Sequence, residues 1–251
     1  TLKLIIMKKY LVFALVATIV FTSCGTKQNK EEKSPMQKKV DEYAPVELRS
    51  DIIHLSAKER QMLPYLFEAA QIMDDLYWKQ AFGNKENLLQ SITDDATRDF
   101  AEINYGPWER LDGNKPFIDS YGEKPLGAQF YPVDMTKEEF EAFDAKDKTS
   151  LYTVIRRNSE GKLESIPYHV AYKEQIDKAV ELVHKAAELA EDEGLKKYLN
   201  LRAEALLTDE YFASDMAWMD MKTNNIDFVI GPIENYEDAL FGYKTAFESF
   251  V

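Results

Sequence analysis

The sequence is poor in the residues that most reactive chemistry needs. Cys24 is the one cysteine among 251 residues, which excludes an intrachain disulfide. There are three histidines, His54, His169 and His184; none opens an H-E-x-x-H and no two stand at a ligand spacing. His184 and Glu188 lie one turn apart in a helical pattern, which reads as a polar pair on a helix surface rather than a metal site. No G-x-x-x-x-G-K-[ST] or G-x-G-x-x-G occurs, so no phosphate cradle is readable, and G-x-S-x-G is missing too. Positive charge is also short. Lys and Arg number 31 against 44 Asp and Glu, a net charge of -13, which argues against a nucleic-acid partner.

What is there begins with a leader. Met7-Lys8-Lys9 is a basic start, and Thr1–Ile6 ahead of it read as upstream translation. Leu11–Phe21 is apolar but too short for a comfortable membrane span. Phe21-Thr22-Ser23-Cys24-Gly25 follows and resembles a lipobox, with Phe21 where Leu is usual. The expectation is export, cleavage before Cys24, and lipid on Cys24 that ties the protein to a bacterial cell-envelope membrane, facing the periplasm or the surface. Cleavage would leave 28 basic against 44 acidic residues, a net charge of -16. It also places the only thiol in the export signal, so a cysteine nucleophile is excluded. Thr26–Lys39 is polar and charged and reads as a flexible tether, with residues 24–45 assigned to anchor and tether and 46–251 to the folded part.

The folded part reads as α+β, mainly helical, with a β-hairpin and short strands. Ser56 and Glu59 have the capping-box spacing, and Leu63, Leu66, Phe67, Ala70, Met73 and Tyr77 follow at helical intervals. Pro64 is expected to kink or restart that helix. Helices are predicted over Lys85–Ile92, Asp94–Ile103, Thr136–Ala145, Tyr172–Glu193, Leu195–Leu207 and Asp209–Lys222, with Gly194 as the stop of the longest. Asn104–Asp134 is rich in Gly, Pro and aromatics and reads as irregular loops over the helices. "LYTVIRR" and "KLESIPY" flank Asn158–Gly161 as a hairpin. The acid pairs Asp74-Asp75, Asp94-Asp95 and Glu191–Glu193 read as solvated helix ends and faces.

The closing stretch, "IDFVIGPIENYEDALFGYKTAFESFV", is the candidate for chemistry. If it is extended through Tyr236, then Glu234 and Tyr236 share a face and Asn235 points the other way. Pro232 suits an edge strand beside a cleft. A carboxylate can hold an ammonium and a phenol can donate to a developing oxyanion. The same spacing also fits an exposed acid and a core tyrosine at a strand end, and both readings stay open on spacing alone.

"FVIGPIENYEDALFGYKTAFE" resembles the Gly-x-Ile-Glu-x-Tyr region of the dipeptidyl peptidase III family of zinc metallopeptidases. "NYGPWERLDGNKPFI", "FYPVDMTKEEFEAF" and "YTVIRRNSEGKLESIPYHVAY" are similar to stretches of its bacterial members, in the same order. The resemblance implies one lobe of a two-lobed peptidase that removes dipeptides from the N-termini of short peptides. It implies that Glu234 and Glu248 anchor the substrate's α-ammonium, that Asn235 joins them in binding substrate, and that Tyr236 stabilises the tetrahedral intermediate. It implies zinc for the complete enzyme, held by an H-E-x-x-G-H motif and a later glutamate that lie downstream in the family. That motif is absent from the chain, so the expectation is an N-terminal fragment that binds no zinc and needs a C-terminal catalytic lobe. Where animal members carry a basic residue after the tyrosine, this chain has Glu237. The alternative is a non-catalytic peptide-binding lipoprotein of the envelope.

Overall fold

The computed structural model describes residues 32–251. The leader and Cys24 lie outside them. The chain divides into two units, and the second, Met36–Val251, carries the fold. It is a mainly helical α+β arrangement, and among the described residues its sheets are three separate antiparallel pairs.

The polar stretch read as tether does not stay irregular through Lys39. Pro35–Val40 forms a short helix, α1. Lys39 fixes it, through an ion pair to Glu109 at 2.5 Å and a position over the Phe100 ring.

Helix α2, Ala57–Ala81, is the backbone of the domain. Ser56 and Glu59 form the full capping box, so two otherwise free backbone donors at its start are satisfied. The helix runs unbroken through Pro64, against expectation. One lost backbone bond costs about 3 kcal/mol, and long burial on one face offsets it. That face is Met62, Leu66, Ala69, Met73 and Leu76, rotated from the predicted stripe, so Phe67 is left 51% exposed. Helices α3, Lys85–Ser91, and α4, Asp95–Asn104, follow, capped by Asn84 and Asp94 as acceptors for Asn87 N and Thr97 N. They enclose a small core of Trp78, Leu88, Ile92 and Ala101.

Residues 105–134 are irregular apart from a two-residue ladder, β1 Trp108–Glu109 with β2 Lys115–Pro116, and a 3-10 turn, Arg110–Asp112, between them. The Trp108 indole donates to Gly122 O, which folds this layer on itself. Helix α5 is Lys137–Ala142, capped by Thr136 and ending short of Ala145. The hairpin is present as β3, Thr153–Arg157, and β4, Leu163–Pro167, with Ile155 opposite Ser165.

A short turn of helix, α6 Tyr168–Ala171, leads into α7, Lys173–Leu189, and α8, Glu193–Thr208. Gly194 is not the stop of α7. That helix ends at Leu189 with Ala190 as its C-cap, and Asp192 caps α8 by accepting from Leu195 N, which places Gly194 in the first turn of α8. A carboxylate acceptor there satisfies a free amide and outweighs the glycine as a signal. Helix α9 is Phe212–Asp220. The chain closes with β5, Val229–Glu234, and β6, Ala246–Phe250. Phe247 is fully buried, and Gln80 of α2 accepts from its amide at 2.8 Å, which seats β6 on α2. Among the described residues no helix is long and apolar enough to cross a membrane.

Candidate functional site

The site is built on the β5–β6 ladder. Gly231 sits opposite Glu248 and Glu234 opposite Ala246, with a register shift between Pro232 and Glu234. Glu248 is therefore two residues along from the partner of Glu234, on the same face, where diagonal neighbours meet. Gly231 has φ +134, and a Cβ there would lie 3.3 Å from the Tyr211 ring and 3.5 Å from the Arg202 guanidinium. Only glycine lets the strand pass this close. Burial raises the carboxyl of Glu248 above its usual range, and the carboxylates of Glu234 and Glu237 add to the rise.

The strand stops at Glu234, which corrects the shared-face argument for Tyr236. Tyr236 lies in a turn and is 83% exposed. The turn has clear causes. The Asn235 amide donates to Gly242 O at 2.9 Å and closes the loop. Asp238 collects the backbone amides of Leu240, Phe241, Tyr243 and Lys244, and the Tyr131 hydroxyl at 2.7 Å. One carboxylate taking so many donors bends the chain around itself. The Asn235 amide nitrogen is thus engaged within the loop, and Tyr236 is a loop-borne group rather than a strand-borne one.

Glu237 is the residue that pattern reading missed as a site member. It is 7% exposed, and its carboxylate receives Arg110 Nη1, Lys124 Nζ at 2.8 Å and the Tyr77 hydroxyl at 3.1 Å. Burial acts to raise its carboxyl, but the bonds and charges of Arg110 and Lys124 outweigh that and hold it below the usual range. Burial dominates at Lys124, whose ammonium is lowered. Arg110 also stacks over Tyr77 at 5.4 Å and Tyr105 at 5.8 Å, and Tyr105 donates to Asp74 at 2.6 Å.

Two grooves flank this wall. One, of about 350 Å³, is lined by Asp74, Tyr77, Tyr105, Phe247 and Glu248. The other, of about 480 Å³, is lined by Arg110, Lys124, Leu126, Tyr236 and Glu237. The first gathers carboxylates and suits an ammonium group, which a charge-assisted bond would hold. Of the three acid clusters noted in the sequence, only Asp74 borders it. Asp94 and Asp192 are helix caps, as read.

The histidines make other contacts. His169 Nδ1 lies 2.8 Å from Asp209 Oδ2, and His184 Nδ1 lies 3.3 Å from Asn200 Oδ1 rather than against Glu188. Among the described residues there is no group of three or more His, Cys, Asp or Glu side chains placed to hold a metal ion. These residues therefore do not fit a zinc site.

The chain is similar to dipeptidyl peptidase III from Caldithrix abyssi, with 42% identity and a TM-score of 0.81 over 85% of this chain and 43% of that one. Dipeptidyl-peptidase III from Corallococcus sp. strain EGB matches at 36% identity and a TM-score of 0.80, over 86% of this chain and 42% of that one. Nudix hydrolase 3 of Arabidopsis thaliana is 32% identical over 89% of this chain and 37% of its own length. No family model matches. The chain spans less than half the length of each of these relatives, and its fold corresponds to part of dipeptidyl peptidase III.

Proposed function

We propose that the chain is the substrate-binding lobe of an exported, zinc-dependent dipeptidyl peptidase that releases dipeptides from the N-termini of short peptides. The observation that carries this is the 42% identity and TM-score of 0.81 to a dipeptidyl peptidase III over 85% of the chain. The zinc and its ligands belong to a catalytic lobe that the chain does not supply. Lipid on Cys24 anchors the protein to the envelope membrane.

In this reading the peptide's α-ammonium lies against Glu234 and Glu248. Burial first, and then the repulsion of Glu234 and Glu237, leave Glu248 raised above its usual range, and an arriving cation relieves that repulsion. Asn235 binds substrate only through what its closed loop leaves free, since its amide nitrogen donates to Gly242 O. Tyr236, exposed on its loop, donates its phenolic hydrogen to the scissile carbonyl oxygen as negative charge develops there.

The test uses the complete protein, with its catalytic lobe and zinc, on dipeptidyl-arylamide substrates. Arylamine should be released from substrates with a free N-terminus and far more slowly from their N-acetylated forms. Equal rates on both would remove the ammonium anchor from the reading. Binding of free peptides with no release would favour the non-catalytic peptide-binding lipoprotein.

A further inference from the structure

We infer that Glu237 is the positioning residue for Tyr236: its buried carboxylate, gripped by Arg110, Lys124 and Tyr77, holds the turn that aims the phenol. The inference rests on the proposed role of Tyr236 and deepens it.

Tyr236 itself is 83% exposed, so packing does little to place it. Its neighbour does the opposite. Glu237 is buried at 7% exposure, and its partners come from three separate parts of the chain. Tyr77 is on α2, Arg110 follows β1, and Lys124 lies in the irregular layer. Arg110 is itself fixed, since its Nε donates to Asn104 O at 2.7 Å and its backbone amide donates to Asn104 Oδ1 at 2.9 Å. The turn is thus tied to the helical body through the side chain that follows Tyr236 directly. Asn235 and the backbone bonds to Asp238 close the loop on itself, and Asp238 also takes the Tyr131 hydroxyl, but it is Glu237 that joins the turn to α2 and to Arg110. A donor loosely held loses rate, because the hydrogen bond must be aligned with the oxyanion when it forms.

Glu237→Gln tests this. The amide keeps the shape but turns two hydrogens toward a set of donors, so at least one grip is lost. In the complete enzyme kcat should fall about 10-fold or more with KM changed less than about twofold, the pattern of an interaction that matters only in the transition state. The decisive measurement is the double variant. In a Tyr236→Phe background, Glu237→Gln should have almost no further effect on kcat, because its influence passes through the phenol. A residue that merely stabilises the lobe would cost the same in both backgrounds, and that result overturns the inference. A second readout does not depend on activity. In the chain itself, the backbone order parameters of residues 235–237 should drop from rigid values of about 0.85 toward 0.6 in Glu237→Gln, while those of α2 hold. Unchanged order in the turn also overturns it. An enzyme that responds to Tyr236→Phe but not to Glu237→Gln sinks this inference alone. A parent that releases no dipeptide sinks the functional reading and this inference with it.

Discussion

Lys244 gives the sharpest test of the physical account of the loop. Its side chain is 0% exposed, yet no carboxylate touches its ammonium. Nζ donates to Lys148 O at 2.7 Å, Ser150 O at 2.9 Å and Thr153 Oγ1 at 2.7 Å. Three neutral acceptors satisfy the donors but do not repay the charge, and burial lowers the pKa from 10.5 to about 8. The folded state therefore binds fewer protons than the unfolded chain between those values, and stability rises with pH through that window. At about 1.4 kcal/mol per pKa unit, the full effect is about 3 kcal/mol, of which about 2 kcal/mol should develop between pH 7 and about 9.5. Buried tyrosines such as Tyr131 and Tyr168 are raised above their usual range and act in the opposite sense at higher pH, so the comparison stops there. Lys124, also lowered by burial, acts in the same sense in the parent and in any Lys244 variant, and so cancels. Urea unfolding, followed by tryptophan fluorescence, should be run on the parent and on Lys244→Met at several pH values. Lys244→Met leaves three acceptors empty, which is a constant offset. The parent should gain about 2 kcal/mol on the variant across the window. A difference that stays flat with pH would refute the claim that a buried ammonium is present whose burial outweighs the more distant carboxylates of Asp238 and Asp147.

The remaining predictions concern the site and the anchor. Gly231→Ala should destabilise the protein, since φ +134 strains any residue with a Cβ and the Tyr211 ring at 3.3 Å would have to give way to a methyl; a parental unfolding midpoint would count against the close-approach argument. In the complete enzyme, Glu234→Gln should bring free and N-acetylated peptides closer in affinity, whereas Tyr236→Phe should lower kcat by on the order of 10²–10³ with little change in binding. Metal analysis of the purified chain should find no tightly held zinc, and one equivalent per chain would mean that His169, His184 or their neighbours form a site after all. Membrane fractionation of a bacterial host should find Cys24→Ala unprocessed and released from the lipid-anchored fraction, and an unchanged distribution would end the lipoprotein reading.

Capping spacings made the helix starts after Ser56 and Thr136 readable, because a polar acceptor at the first turn is a local requirement with a local answer, whereas the cap at Asp192 was read as a solvated acid run. Ser56, Asn84, Asp94, Thr136 and Asp192 all accept from the amide three residues on. The face of α2 was harder. Apolar residues are dense around Leu63 and Phe67, and only contact with α7 and β6 selects Met62, Ala69 and Leu76 for burial. Strand β6 was not anticipated at all: "AFESF" is short and follows an aromatic loop, and its register comes from β5 across that loop. The site divides along the same line. Glu234 was readable because an extended segment fixes side-chain direction with a period of two; Glu248 came from the family resemblance, and its shared face with Glu234 follows only from the pairing of β5 with β6. Tyr236 was misplaced because the chain leaves the strand there, and what bends it is the gathering of later amides by Asp238. Glu237 was visible only as an odd acid after a tyrosine. Its partners Tyr77, Arg110 and Lys124 are 160, 127 and 113 residues away, and no spacing rule reaches them. The ammonium anchor takes one acid from each of two paired strands, and the aimed phenol needs the whole lobe to hold its turn. Glu234 is therefore legible locally in the sequence, whereas its meeting with Glu248 and the aim of the phenol are written in the fold.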